Sequence, residues 1–320
     1  MIINSINIPN FAAYRATSQT KPQTPMLKPL AYDTVSFGNN SEIPSLGCLI
    51  YRDDNRGQST LLMRAKTPEL INYLLEAGKH YGDEVPKIML TQFDGYGDTP
   101  LMMAETPEIT NALLEAGKHY GGEEFLRKML TQNNYWTEKT ALSQAKTPEK
   151  AQALIDAAPD NDTLKTMLTQ QDEDERTALM LAGTPELTQT IIDAAPDNDT
   201  LKTMLTQQDK LMGRTALMLA VQNNKTEKVQ TLLNAAPDED ILKTMLTQQD
   251  KLMGRTALMQ AVQDNKTEKV QTLLDAAPDE DILKTMLTQK DNNGHIALMQ
   301  AKTYEQMRIL ADAMHKINLI

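Results

Sequence analysis

Four histidines and a single cysteine are the residues of this 320-residue chain best suited to metal binding or nucleophilic chemistry. Their placement argues against both. His80 and His119 hold the same position in two copies of Glu-Ala-Gly-Lys-His-Tyr-Gly, at 76–82 and 115–121. A position copied with its surroundings reports the copying. Neighbouring helices lie ~8–10 Å apart, too far to share a zinc with bonds of ~2.0–2.1 Å unless both side chains lean together. Cys48 has no catalytic partner near it in sequence and reads as packing; one cysteine excludes an intrachain disulfide and a multi-cysteine zinc site. Gly95 and Gly97 flank Tyr96 in a turn that recurs along the chain, which is not a phosphate cradle. Asp291-Asn-Asn-Gly294 has the wrong spacing for a calcium loop and lacks its bidentate glutamate. No nucleophile elbow, phosphate-binding loop or dinucleotide fingerprint is present. The reading is a protein without catalytic, cofactor-binding or metal-ligating residues, and not an enzyme.

What remains is recognition chemistry. Tyr96, Tyr135, Trp136, Leu211, Met212, Leu252 and Met253 fall in turns, where polar residues are the rule. Exposed apolar groups at such tips are candidates for partner contact, and Trp and Tyr are enriched among interface hot spots. The competing reading is that an inserted residue folds Leu211 and Leu252 back as core. The equivalent turns elsewhere hold Glu173 and Asp174, or Asn292 and Asn293.

The elements that carry these turns follow from a repeat. Thr-Ala-Leu-Met-x-Ala occurs at 177–182, 215–220 and 256–261, with looser copies at 60–65, 99–104, 140–145 and 296–301. Successive starts are 39, 41, 37, 38, 41 and 40 residues apart. Met-Leu-Thr-Gln closes the unit at Met89, Met129, Met167, Met204, Met245 and Met286. A fixed period of this length signals an array of stacked units. In the fifth unit Gly213 supplies turn dihedrals and 216–222 is rich in helix formers. Val229, Leu232, Leu233 and Ala236 then form one apolar helix stripe, with Glu227, Lys228 and Gln230 facing water. After Pro237, acidic residues 238–240 cap a short third helix with Ile241, Leu242, Met245 and Leu246 inside. Each unit reads as turn, helix, helix, short helix.

Spacing and wording resemble the ankyrin repeat. The residues that carry the resemblance are Asp94, Gly97, Thr99, Pro100, Leu101, Ala104, Leu113, Leu114 and Gly117, and in the fifth unit Thr215, Leu217, Ala220, Glu227, Val229, Leu232 and Leu233. The resemblance implies an all-α, ankyrin-like α-solenoid of about seven units at 53–92, 93–132, 133–170, 171–207, 208–248, 249–289 and 290–320. It also implies a binding function without catalysis. Three departures stand out. The unit is about 40 residues rather than the family's 33, with the excess in the third helix. Met102, Met180, Met218, Met259, Met299 and Ser143 replace the motif histidine. Five units lack three residues between their main helices and carry Thr-Pro-Glu at 67–69, 106–108, 147–149 and 184–186, or Thr303-Tyr304-Glu305. Thr as N-cap, Pro at the first helical position and Glu in the first turn make a strong helix start.

Outside the array, 1–45 is aperiodic and rich in Asn and Pro, and reads as a disordered tail before an array at 46–320. Leu49-Ile50-Tyr51 adds an apolar cover to the first unit; Met307, Ile309, Leu310, Met314, Ile317, Leu319 and Ile320 predict a helix that closes the last face. With 43 Asp+Glu against 32 Lys+Arg and a net charge of −11, a nucleic-acid or anionic-membrane surface is not expected. No apolar run approaches the ~18–20 residues of a span. The first 20 residues hold only Arg15 as a positive charge and no apolar core, so a standard secretory signal is not expected. The expectation is a cytoplasmic monomer that binds an unknown protein. Alternatives are an effector of a host-associated bacterium, exported by a non-standard route, and a self-assembling element, to which the near-identical fifth and sixth units would lend themselves.

Overall fold

The computed structural model describes residues 46–50, 59–223 and 225–320. The expected tail at 1–45, Tyr51 and the first turn of the array lie outside the described residues. Among those described, every regular element is helical.

Helix α1 (Leu46–Ile50) places Leu49 fully inside the first unit. That unit continues as a 3-10 turn (Leu62–Arg64), α2 (Pro68–Lys79) and α3 (Val85–Thr91). The second has α4 (Pro100–Met103) and α5 (Pro107–Thr131), which joins two helices across a break at Gly122 with φ 68°. The third has turns at 141–144, then α6 (Pro148–Asp156) and α7 (Asn161–Thr169). Then follow α8 (Ala178–Leu181), α9 (Pro185–Asp193) and α10 (Asn198–Thr206). The fifth unit is α11 (Ala216–Gln222), α12 (Thr226–Asn234) and α13 (Glu239–Thr247). The sixth is α14 (Ala257–Gln263), α15 (Thr267–Asp275) and α16 (Glu280–Thr288). The last is a 3-10 turn (Ala297–Gln300) and α17 (Tyr304–Lys316).

The short helix is the first of each unit, not the third. From the third unit to the sixth, second and third helices are both 9 residues long. First helices run to 7 residues in α11 and α14 and shrink to 4 in α4 and α8, where the three connecting residues are missing. The deletion is absorbed by the helix it adjoins.

Capping sets the boundaries as the sequence implies. Thr67, Thr106, Thr147, Thr184 and Thr303 each accept the backbone N–H three residues on, at 3.2–3.4 Å. Asp160, Asp197, Asp238 and Asp279 do the same for the third helices at 2.7–2.8 Å. Such caps satisfy N–H groups that the helix itself leaves unpaired and are each worth about 1 kcal/mol.

Two inter-unit devices were not legible in the pattern. The glutamine of Met-Leu-Thr-Gln reaches back one unit: Gln132, Gln170, Gln207, Gln248 and Gln289 donate Nε2–H to the carbonyls of Thr91, Thr131, Thr169, Thr206 and Thr247, at 2.9–3.2 Å. The second device corrects the placement of Lys228, which is 2 % exposed rather than turned to water. Its Nζ donates to the carbonyls of Leu179 (3.0 Å) and Ala182 (2.9 Å) at the end of α8. Lys150 does likewise to Met102 and Ala104, both at 2.8 Å. An ammonium at a helix C-terminus meets both unpaired carbonyls and the negative end of the dipole. Burial still disfavours the charge, and both amines are lowered to about 8.

The last helix also departs from expectation. Leu310 is fully buried and Met314 nearly so, but Met307 and Ile320 are exposed, so α17 docks onto the array without closing its outer face.

Candidate protein-binding face

Among the described residues, each turn before the first helical element of a unit is a finger built on one buried polar side chain. Asp94 Oδ1 accepts the N–H groups of Tyr96 and Asp98, both at 2.8 Å. Asn134, Asp172, Asp209, Asp250 and Asp291 repeat the arrangement within their own turns. Burial works against the charged form of Asp209. The N–H groups of Arg214 and Met212 and the Arg214 guanidinium outweigh it and hold the carboxyl below its usual range. A left-handed residue then turns the chain back: Gly97, Gly213, Gly254 and Gly294, and in the two fingers without glycine Glu138 and Glu175.

Fingers are tied to their neighbours by main-chain bonds. Tyr135 N–H donates to the Gly97 carbonyl (3.0 Å), Glu173 to Thr137 (3.0 Å), Lys210 to Asp174 (2.8 Å), Lys251 to Met212 (2.8 Å) and Asn292 to Met253 (2.9 Å). Asn134 Nδ2 adds bonds to the Tyr96 carbonyl at 3.0 Å and to Asp98 at 2.7 Å. The fingers thus form a row with fixed spacing, and their tips point away from the helical core.

At those tips the structure places Tyr96, Tyr135, Trp136, Leu211, Met212 and Leu252 in solvent, with Trp136 55 % and Leu211 66 % exposed. Met253 is half-buried. They fall into two groups. Tyr135 and Trp136 meet edge to face with centroids 4.8 Å apart, and the tilted ring of Phe93, which the sequence reading did not single out, is 6.2 Å from Tyr135. Tyr96 tips the adjacent finger. Leu211, Met212, Leu252 and Met253 form the second group on the fifth and sixth fingers. Between the groups the fourth finger is charged: Glu173 is exposed, and Arg176 bonds both Asp172 and Asp174.

The residues weighed for chemistry lie elsewhere. His80 and His119 are exposed at the far ends of second helices, with the His119 ring against Tyr120 at 4.7 Å. Among the described residues no group of three His, Cys, Asp or Glu side chains could hold a metal ion. A recess of about 810 Å³ opens where α6 stops short of α5, with Leu114, Leu126 and Ala157 on its floor and Glu115, Glu123 and Asp156 at its rim. It is open to solvent and contains no nucleophile–base pair. No described helix is long and apolar enough to cross a membrane.

Residues 183–285 match the family described as ankyrin repeats (3 copies). No curated protein matches the sequence. Among solved structures the chain is similar to the ankyrin repeat domain of Bcl-3, a member of the IκB protein family. The match has 20% identity and a TM-score of 0.55, over 78% of this chain and 95% of that one. An identity that low speaks for the fold alone. Repeat wording, capped helix pairs and finger row agree with these matches on an ankyrin-repeat solenoid fold, in which residues 183–285 are the part matched to the family itself.

Proposed function

We propose that the array is a non-enzymatic binding module that captures another protein along its finger row. The observation that carries the reading is that large apolar side chains stand in water at the tips of four fingers while the helices behind them have a complete core. A stack of repeats offers a long open face suited to a macromolecule, and no enclosed pocket suited to small-molecule catalysis. The two apolar groups flanking an acidic finger call for a partner with two apolar patches and a basic or polar middle. Nucleic acid fits poorly, because the chain is acidic overall.

Replacing Tyr96, Trp136, Leu211 and Leu252 together by Ser is the test. The variant keeps its helix content and melting behaviour and no longer captures the partner that the native array retains. An unfolded variant would assign these side chains to the core, and undiminished capture would place the contact elsewhere. The setting we infer is the cytoplasm, with export as an effector the second possibility; fusing residues 1–45 to a reporter and assaying its export separates the two.

A further inference from the structure

The fifth and sixth fingers are one finger built twice. Asp-Lys-Leu-Met-Gly-Arg-Thr occupies 209–215 and again 250–256, and the other fingers share neither its tip residues nor one another's. The backbones agree as well. Asp209 and Asp250 each accept the N–H of the methionine three residues on, at 3.0 and 2.6 Å, and Gly213 and Gly254 turn the chain back with φ of 70° and 67°. Leu252 is 55 % exposed and Leu211 more so, and Lys210 and Lys251 stand in water beside them. Arg214 is held by Asp209 at 3.0 Å, so the lysines are the charges turned outward. Each finger presents a leucine knob with an ammonium at its side.

Main-chain bonds set the distance between the knobs. Within the fifth finger Asp209 N–H donates to the Arg214 carbonyl at 2.9 Å, and between fingers Lys251 N–H donates to the Met212 carbonyl at 2.8 Å. Stretches joined in this way run ~4.8 Å apart, so two steps separate Leu211 from Leu252 by ~9–10 Å. On an α-helix, residues seven apart share a face at ~10.5 Å, and such a face receives knobs from a neighbour at that repeat. An extended strand reaches ~10 Å in three residues but then presents its opposite face. A polyproline II segment comes round at ~9.3 Å, but it docks in aromatic-lined grooves, and residues 208–289 contain no aromatic side chain.

We infer that the fifth and sixth fingers receive an α-helix of the partner, with apolar residues seven apart against Leu211 and Leu252 and with Asp or Glu beside them to meet Lys210 and Lys251. The inference rests on the finger row as the binding face and names the kind of segment that its Leu-Met end takes.

Fluorescence anisotropy of labelled peptides titrated with the full chain tests it. The probe is an Ala-rich helical peptide of about 18 residues, with two Leu seven apart and Glu beside each. Moving the second Leu to eleven residues keeps composition and face, since both spacings return to within about 20°, but stretches the pitch to about 16.5 Å. The seven-residue peptide binds about tenfold more tightly or better, the worth of one buried leucine. Leu211→Ser with Leu252→Ser abolishes that preference, Lys210→Glu with Lys251→Glu weakens binding, and Trp136→Ser changes neither. All four finger positions are exposed, so circular dichroism stays that of the native chain. Equal affinity for the two peptides, or a preference that survives the leucine variant, overturns the inference, as does tighter binding of a Pro-rich peptide with Leu at every third residue. The finger row itself is judged apart from this, by whether the fourfold Ser variant still captures the native partner.

Discussion

Gly213 and Gly294 hold the same place in the fifth and seventh fingers, with φ of 70° and 80°, but only one has a finger stacked beyond it. Alanine at either must adopt the left-handed region, at about 1–2 kcal/mol, offset by about 0.4–1 kcal/mol because alanine stiffens the unfolded chain. At Gly294 an added methyl meets nothing within 4 Å, so Gly294→Ala costs about 1 kcal/mol in total. At Gly213 the methyl would sit 2.6 Å from the Lys251 nitrogen, whose N–H donates to the Met212 carbonyl at 2.8 Å. The sixth finger must move and that bond lengthens. Losing it costs about 0.5–1.5 kcal/mol, and the crowding adds about 1 kcal/mol or more, so Gly213→Ala costs about 3 kcal/mol. Gly254, with an added methyl 2.9 Å from the Asn292 nitrogen, falls between. Urea unfolding followed by circular dichroism reads the series. The difference between the outer two, about 2 kcal/mol, measures finger-to-finger contact alone, because the strain is common to both. Equal costs at Gly213 and Gly294 would refute the idea that the fingers brace one another.

Two further outcomes follow from groups whose environment is unusual. Glu175 occupies the left-handed position that glycine fills in other fingers, with φ of 57°; Glu175→Gly relieves that strain and raises stability by about 0.5–1 kcal/mol, seen as a melting point about 2 °C higher. Lys228, lowered from 10.5 to about 8 in the folded chain, has shed its proton between those values while the unfolded chain still holds it. Stability therefore rises with pH across that window and the cost is fully present below it. Lys228→Met loses this rise, so the difference in urea midpoint between native and variant changes between pH 7.5 and 9.5, whereas a constant difference would mean the amine titrates alike in both states.

How far the sequence carried depended on whether the partner of a residue was local. Thr-Pro-Glu and the Asp of the third helix cap N–H groups three residues away, and both were legible. The finger residues were legible as turn tips, though their exposure could not be separated from packing until Trp136 and Leu211 were seen beyond the finger bonds. Lys228 was misplaced because its carbonyls lie 46 and 49 residues upstream. A signal did exist: the register held by Lys150, Lys228 and Lys269 is held by Leu70, Ile109 and Leu187 in other units, and a position that alternates lysine with leucine points inward with its amine at the rim. The Met-Leu-Thr-Gln glutamine could be counted but not explained, since its acceptor is in the previous unit. The open face of α17 was hidden for the opposite reason. Its apolar period is that of a buried helix, and period does not reveal which neighbour does the burying.

Trp136 is the single tryptophan of the chain and stands at the centre of the proposed contact, so its fluorescence tests the binding account without any substitution. In the free folded protein it emits as a water-exposed indole and is quenched freely by acrylamide. Saturation with the protein the array captures shifts the emission to the blue and shields it from quencher. An emission already blue and shielded in the free protein, or one that a bound tryptophan-free partner leaves unchanged, would contradict the finger row as the binding face.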